Sequence, residues 1–134
     1  MHDRVTMLQT IDAAYAARQK GDKESFAAFL APGATFRLAG TSHLLGGMPV
    51  GPADARAAIG SLIDQFHFNE VRRIDGLVDG NRAAVRMAVR VAVAGGGEVA
   101  TELFDIWTFD AAGNVTDITQ FADTAQIAAL LPDA

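Results

Sequence analysis

The sequence predicts an α+β domain in which helices pack on one face of an antiparallel sheet. Apolar residues recur at helical spacing as far as about residue 66, and beyond it they alternate as in strands. Turn residues separate these strand-like segments, so we expect neighbouring strands to be joined as hairpins. Helices followed by a run of hairpin-linked strands are typical of this fold class. A length of 134 residues favours a single domain, covering residues 1–134, with one hydrophobic core.

Three helices are predicted in the first half of the chain. The first spans roughly residues 4–19, and its apolar positions at helical spacing are Leu8, Ile11 and Tyr15. Gly21 ends this helix, and Asp22 is placed to cap a second helix that stops before Pro32. A short strand at 34–40 and a glycine-rich loop come next. The third helix has an apolar face made of Ala55, Ile59, Leu62, Ile63 and Phe66.

Strand-like segments make up the second half of the chain. They cover residues 66–78, 82–94, 101–110 and 115–122. One face of the second segment is apolar and comprises Val85, Met87, Val89, Val91 and Val93, whereas Arg86 and Arg90 lie on the other face. Glycine-containing turns separate the segments, and Asp123 is placed to cap a short final helix. The strands are rich in apolar residues on both faces, so a second subunit is the simplest cover for the outer face.

The charge balance argues against nucleic acid as a partner. The formal net charge is −5, and acidic residues flank the arginines that cluster at Arg72-Arg73 and along 82–90. Nucleic-acid binders need a basic stripe to displace counterions from phosphates. The chain also lacks a bilayer-length apolar run and the apolar core of a signal peptide. We therefore predict a soluble, cytoplasmic protein with no membrane partner; the absence of cysteine fits a reducing compartment.

Four segments, in this order, carry a resemblance to a known family. They are "YAARQKGDKESFAAFLAPGATFRL", the loop "HLLGGMPVGPADARAAI", the hairpin "DIWTFDAAGNVTDI" and the tail "FADTAQIAALL". Over nearly its whole length the chain resembles the SnoaL-like and ketosteroid-isomerase-like branch of the nuclear-transport-factor-2-like superfamily. The resemblance implies a cystatin-like cone, in which a strongly curved antiparallel sheet wraps around three helices of the N-terminal half, with a short C-terminal helix.

The same resemblance implies an apolar pocket inside the cone and a homodimer that packs through the outer face of the sheet. Catalytic members of the family work without a cofactor, and they include isomerases, polyketide cyclases and epoxide hydrolases. Other members only bind ligands or partners. Because one fold hosts many functions, the activity has to be judged from the residues of the site.

Asp105 is the strongest candidate for that site. It interrupts an otherwise apolar strand-like segment, and it aligns without a gap with an aspartate that stays protonated in ketosteroid isomerase and donates a hydrogen bond to the substrate oxygen. Tyr15 lies one position from the spacing of the family's donor tyrosine, so it is either that donor or a core aromatic. The position of the family's base holds Leu38, and Gln120 replaces the aspartate that cyclases and hydrolases carry.

Two functions follow from this pattern. In the first, the protein is an isomerase, cyclase or lyase that acts on a small apolar carbonyl compound, with Asp105 as acid or hydrogen-bond donor. His43 could then supply the missing base, although a surface histidine is the usual case. In the second, the protein is a non-catalytic dimer that binds a hydrophobic ligand or a partner, and Asp105 is a structural carboxylate bonded to Gln120, Tyr15 or backbone groups.

The ligand-binding residues expected around Asp105 are Tyr15, Phe36, Leu38, Ile63, Met87, Val89, Trp107, Ile118 and Gln120. Desolvation among such neighbours would favour the neutral form of the acid. No metal site is expected, because the histidines show no ligand spacing and the chain has no cysteine.

Overall fold

A computed structural model describes residues 3–40 and 53–131 and confirms the α+β class. The helices and strands, in chain order, are α1 (Arg4–Lys20), α2 (Lys23–Ala27), β1 (Leu30–Ala39), β2 (Ala53–Asp54), α3 (Ala55–Gln65), β3 (His67–Asp79), β4 (Arg82–Ala92), β5 (Glu98–Phe109), β6 (Val115–Ala122) and α4 (Thr124–Ala128). Within the described residues, each helix is too short or too polar to cross a bilayer.

The strands form one curved, unclosed sheet in the order β2-β1-β6-β5-β4-β3. Strands β3 to β6 form an antiparallel meander, as predicted from their hairpin turns. One pairing differs from the expected antiparallel sheet, because β1 and β6 are parallel. After β1 and the short β2 the chain passes through α3 to the far edge of the sheet and returns strand by strand, so its last strand arrives beside β1 in the same direction.

The prediction for the second helix is wrong at its end. The sequence predicts a helix that runs almost to Pro32, but it stops at Ala27, and Leu30 is already the first residue of β1. Pro32 and Gly33 lie inside β1, where the pairing with β6 shifts register between Leu30 and Thr35. An irregular stretch of this kind tolerates a proline, because no ladder hydrogen bond from its nitrogen is required.

The predicted N-terminal caps of α2 and α4 are confirmed. The carboxylate of Asp22 accepts a hydrogen bond from the backbone N–H of Ser25, and that of Asp123 accepts one from the N–H of Gln126. Each cap satisfies an N–H group that has no partner within its own helix. Local sequence therefore sets where α2 and α4 begin.

The core lies between the concave face of the sheet and the helices. Strand β4 shows the arrangement most clearly, since Val85, Met87, Val89 and Val91 are each at most 3% exposed on the inner face. On the outer face, Arg86 pairs with Glu102 at 2.8 Å and Arg90 pairs with Glu98 at 2.9 Å. The predicted alternation is thus confirmed along β4, although Val93 lies beyond the end of the strand and is only partly buried. The arginines of the outer face neutralise neighbouring carboxylates.

Candidate functional site

Asp105 lies on the inner face of β5, together with Leu103, Trp107 and Phe109, and its exposure is 0%. Alternation along the strand places these residues on one side. The sheet register sets Asp105 directly opposite Gln120 on β6 and opposite Val85 on β4. The carboxyl group is therefore held on a rigid sheet inside the core.

Three side chains donate hydrogen bonds to this carboxyl group. The hydroxyl of Tyr15 donates to Oδ2, the indole Nε1 of Trp107 donates to Oδ2 at 3.0 Å, and Nε2 of Gln120 donates to Oδ1 at 3.0 Å. Nε2 of Gln120 also lies 3.2 Å from the Tyr15 hydroxyl oxygen. We call Asp105, Tyr15, Trp107 and Gln120 the Asp105 cluster. A buried carboxyl group is tolerated here because both of its oxygens are hydrogen-bonded.

Tyr15 reaches the cluster from α1, across 90 positions of sequence. The side chain is 4% exposed, and the centroid of its ring lies 6.4 Å from that of Phe68 and 6.2 Å from that of Trp107. The departure of one residue from the family spacing therefore does not turn this side chain away from Asp105. Tyr15 is thus a buried aromatic residue of the core whose hydroxyl group is hydrogen-bonded to Asp105.

Burial dominates the electrostatics of the cluster. It raises the pKa of Asp105 above its ordinary value, although the hydrogen bonds from Tyr15, Trp107 and Gln120 each act in the opposite direction. Burial also raises the pKa of Tyr15 well above its ordinary value, and the nearby Asp105 adds to the effect. The phenol is therefore protonated at neutral pH, and the neutral form of Asp105 is favoured relative to an exposed aspartate.

The two protonation states of Asp105 present different groups to a ligand. When the carboxyl group is ionised, Tyr15 donates its only hydroxyl hydrogen to it. When the carboxyl group is neutral, its own O–H can donate to the Tyr15 oxygen, and the hydroxyl hydrogen of Tyr15 becomes available to another acceptor. Protonation of Asp105 can thus turn Tyr15 into a hydrogen-bond donor for a bound molecule.

The Asp105 cluster borders a partly open cavity between the sheet and the helices. The cavity volume is about 60 Å³, several times what one water molecule needs. The lining residues are Tyr15, Arg18, Phe26, Phe36, Leu38, Ile59, Leu62, Phe66, Phe68, Val91, Leu103, Asp105, Trp107, Ile118, Gln120, Ala122 and Ile127. Among the described lining residues, only Arg18 and the four members of the Asp105 cluster carry polar side-chain groups, so the wall favours an apolar molecule with few polar groups.

Several residues predicted for the ligand site are found in this wall. They are Tyr15, Phe36, Leu38, Asp105, Trp107, Ile118 and Gln120. Leu38 pairs with Gln120 in the β1–β6 register, so an apolar side chain stands beside the cluster at the position where the resemblance expects a base. His43 lies outside the described residues.

Three other predicted residues do not line the cavity. Met87 is buried on the inner face of β4, but it borders a groove beside Asp12 and Tyr15 of α1, and Val89 is likewise buried away from the cavity. Val91, further along the same face, lines the cavity instead. Strand alternation predicts the face correctly, but the position of α1 on the sheet decides which part of that face is left uncovered.

Ile63 also lies outside the cavity wall, while Leu62 is part of it. Consecutive residues in a helix are separated by about 100° of rotation. The inward stripe of α3 runs through Ile59 and Leu62, so the next residue points to the side and is only partly buried.

Arg18 is the main feature of the site that the sequence analysis missed. Its exposure is 6%, and its guanidinium lies 4.0 Å from the ring centroid of Phe68. Nη2 donates a hydrogen bond to the backbone carbonyl of Leu62 at 3.1 Å. Burial lowers the pKa of Arg18 to about 10, so the group remains a cation at neutral pH. Its spacing of three residues from Tyr15 on α1 places both on one helix face and was the available signal.

The sequence model of the SnoaL-like domain family matches residues 11–118 of this chain. The chain belongs to the SnoaL-like domain family. Its fold is also similar to that of an NTF2-like protein of unknown function from Burkholderia pseudomallei, with a TM-score of 0.77 and 20% identity over 96% of this chain and 98% of that one. Likeness at this level of identity shows the fold alone.

Two further structures show the same likeness. An LEH-like epoxide hydrolase from M. tuberculosis has a TM-score of 0.72 and 14% identity, over 95% of this chain and 90% of that one. AusH from Aspergillus nidulans has a TM-score of 0.73 and 25% identity, over 92% of this chain and 87% of that one. A comparison with curated protein sequences gave no match. The family includes isomerases, cyclases and epoxide hydrolases, so membership is compatible with several reactions.

Proposed function

We propose that this SnoaL-like protein binds a small, largely apolar carbonyl compound in its cavity and polarises the carbonyl group through Tyr15 and neutral Asp105. The observation that carries the proposal is the Asp105 cluster itself. The hydrogen-bond partners of this fully buried carboxyl group are the uncharged side chains of Tyr15, Trp107 and Gln120. The group borders a cavity whose other described lining residues, apart from Arg18, are apolar.

The chemistry follows from the proton inventory of the cluster. Neutral Asp105 donates to Tyr15, and Tyr15 donates to the ligand oxygen. Such a donor helps most when the oxygen gains negative charge, as it does when an enolate forms next to it. This role suits a cofactor-free isomerase, cyclase or lyase, in which the fixed donors stabilise charge in a water-poor site.

Binding without turnover is the second candidate function. Leu38 stands beside Gln120 where a base is expected, and among the described lining residues Asp105 is the only carboxylic acid. A leucine cannot accept a proton, so a ligand could be held by the cluster and remain unchanged. In that case the protein is a carrier or sensor of a hydrophobic molecule.

A homodimer through the outer face of the sheet fits either function. Phe104 of β5 lies directly opposite Phe121 of β6, and these two outward side chains are 40% and 43% exposed. Adjacent exposed aromatic rings are a common feature of protein interfaces. A second copy of the chain covering this pair would remove their apolar surface from water.

Acetophenone is a suitable probe for the first proposal, because it combines a planar apolar ring with one carbonyl group. Its carbonyl stretching frequency, measured by infrared difference spectroscopy, should fall on binding because a hydrogen bond weakens the C=O bond. Binding should weaken by about tenfold per pH unit above the pKa of Asp105 in the free protein, since only the neutral form is competent. Tyr15→Phe should abolish the frequency shift, and Asp105→Asn should make the remaining affinity independent of pH.

The same probe separates catalysis from simple binding. Exchange of the acetophenone methyl hydrogens with deuterium from D2O, followed by NMR, reports proton removal next to the carbonyl. Accelerated exchange that Tyr15→Phe slows would identify an enzyme, and binding without exchange would favour the second candidate. An unshifted carbonyl frequency in the bound state would contradict the proposed donor role of Tyr15.

A further inference from the structure

Arg18 carries a buried positive charge that has no carboxylate partner among the described residues. The ion pairs of this part of the chain involve other basic residues, such as Arg73 with Asp12 and Arg86 with Glu102. Those pairs are at the surface, whereas the exposure of Arg18 is 6%. Buried charges are normally paired because their desolvation is costly. The unpaired state of Arg18 therefore calls for a physical reason.

Part of that reason lies in the helix ends around the guanidinium. Arg18 belongs to the last turn of α1, and its hydrogen bond to the Leu62 carbonyl places it at the last turn of α3. The C-terminal end of a helix carries partial negative charge. The face of the Phe68 ring adds a cation–π contact. These contacts allow a cation to remain charged in the wall without a carboxylate.

The same contacts leave much of the guanidinium unused. A guanidinium presents several N–H donors in a planar fork, and among the described residues only one hydrogen bond from Arg18 is formed, to Leu62. No buried side-chain nitrogen in the described part lacks a partner, so the remaining Arg18 donors face accessible space. Because Arg18 lines the cavity, this space is where a ligand would lie.

We infer that Arg18 binds a carboxylate group of the ligand, so the preferred ligands are apolar carbonyl compounds that also carry a carboxylate. The carbonyl part of this inference rests on the proposed function. Tyr15 and Arg18 project from one face of α1 into the same cavity. One small molecule can therefore place its carbonyl oxygen at Tyr15 and its carboxylate at Arg18. The planar fork matches a carboxylate by two parallel hydrogen bonds.

The charge state of the Asp105 cluster agrees with an anionic ligand. The groups that face Asp105 are Tyr15 from α1, Gln120 from β6, Trp107 from its own strand and Val85 from β4. None of these is charged at neutral pH, and Arg18 is the only other charged side chain in the described wall. An ionised Asp105 would repel a carboxylate, so binding of an anion and protonation of Asp105 favour each other.

Benzoate and acetophenone form a matched pair for the test, because they share size and planarity but differ in charge. Wild-type protein should bind benzoate at least about tenfold more tightly than acetophenone, as expected for a charge-assisted hydrogen-bonded pair. Arg18→Met should remove this preference, so that the variant binds the two probes with similar affinity. Arg18→Lys should keep part of it, since a lysine retains the charge but lacks the fork. Arg86→Met, on the outer face, is the control and should leave both affinities unchanged.

Acetophenone binding by Arg18→Met also shows whether that variant is folded. If it is not, the side-chain Nε–H resonance of Arg18 in the wild-type protein, assigned with Arg18→Lys, provides a second measurement. This resonance should shift with benzoate and stay in place with acetophenone. Equal wild-type affinities for the two probes, an unchanged preference in folded Arg18→Met, or a resonance that ignores benzoate would overturn the inference.

The two proposals fail in different ways. If benzoate depends on Arg18 but the acetophenone carbonyl frequency is unaffected by Tyr15→Phe, the carboxylate site stands and the donor role of Tyr15 is wrong. If the carbonyl frequency shift of acetophenone depends on Tyr15 but the affinity for benzoate does not depend on Arg18, the proposed function stands and the arginine has only a structural role.

Discussion

Replacing Asp105 with asparagine should change how the stability of the protein depends on pH. In an unfolded chain an aspartate titrates near pH 3.9, whereas burial raises the pKa of folded Asp105. Between these two values the folded protein holds a proton that the unfolded chain has lost. The free energy of unfolding of the wild type therefore falls by about 1.4 kcal/mol per pH unit across that window, and it is constant with respect to Asp105 above the folded pKa.

The stability of the asparagine variant lacks this pH dependence, but the substitution itself lowers the free energy of unfolding. The carboxyl group receives three donors on two oxygens, from Tyr15, Trp107 and Gln120. Asparagine offers one oxygen, and its amide nitrogen cannot accept. We expect a fixed loss of about 1–3 kcal/mol for a donor left without a good acceptor. At 1.4 kcal/mol per pH unit, about one to two units of the window cancel that loss.

The assay is urea unfolding of both proteins from pH 3.5 to pH 8, followed by the fluorescence of Trp107, the only tryptophan of the chain. Other carboxylates titrate in both proteins, so their contributions cancel in the difference. As pH rises from about 4, the free energy of unfolding of the variant should increase relative to that of the wild type. This increase should level off at the folded pKa of Asp105. A flat difference would mean an unshifted pKa. If instead the wild type becomes more stable relative to the variant as pH rises, the three hydrogen bonds lower the pKa of Asp105 by more than burial raises it. That result would remove the neutral acid from the mechanism.

Two further predictions concern packing and assembly. Gly76→Ala should destabilise the protein by about 1–3 kcal/mol, because a β-carbon there would lie 2.8 Å from a methyl carbon of buried Leu8. In contrast, a β-carbon at Gly60 inside α3 would have no neighbouring atom closer than 3.8 Å, so Gly60→Ala should stabilise the protein by about 0.5–1 kcal/mol. Urea unfolding of the two variants measures both effects, and equal signs would contradict the packing argument. Light scattering should give the mass of a dimer for the wild type and of a monomer for Phe104→Glu; a monomeric wild type would refute the proposed interface.

Local patterns in the sequence determined much of the fold. The alternation of β4 predicts which residues face inward, since side chains of a strand point to opposite sides in turn. The same rule places Asp105 and Trp107 on the inner face of β5. Asp22 and Asp123 mark helix starts because a capping side chain acts within three residues of itself. These features depend on geometry that neighbouring residues set among themselves.

The tertiary structure decided which inward residues meet. Tyr15 and Asp105 are far apart in the chain, and their contact depends on how α1 is rotated and seated on the curved sheet. The same seating covers Met87 but leaves Val91 in the cavity wall, and it brings Arg18 to the end of α3. Periodicity carries no information on the rotation or position of a helix relative to a sheet, because both are set by packing of the whole core. For that reason the sequence predicted Asp105 and its possible partners Tyr15 and Gln120, while the hydrogen bond from Trp107 and the buried Arg18 in the cavity wall emerged only from the folded chain.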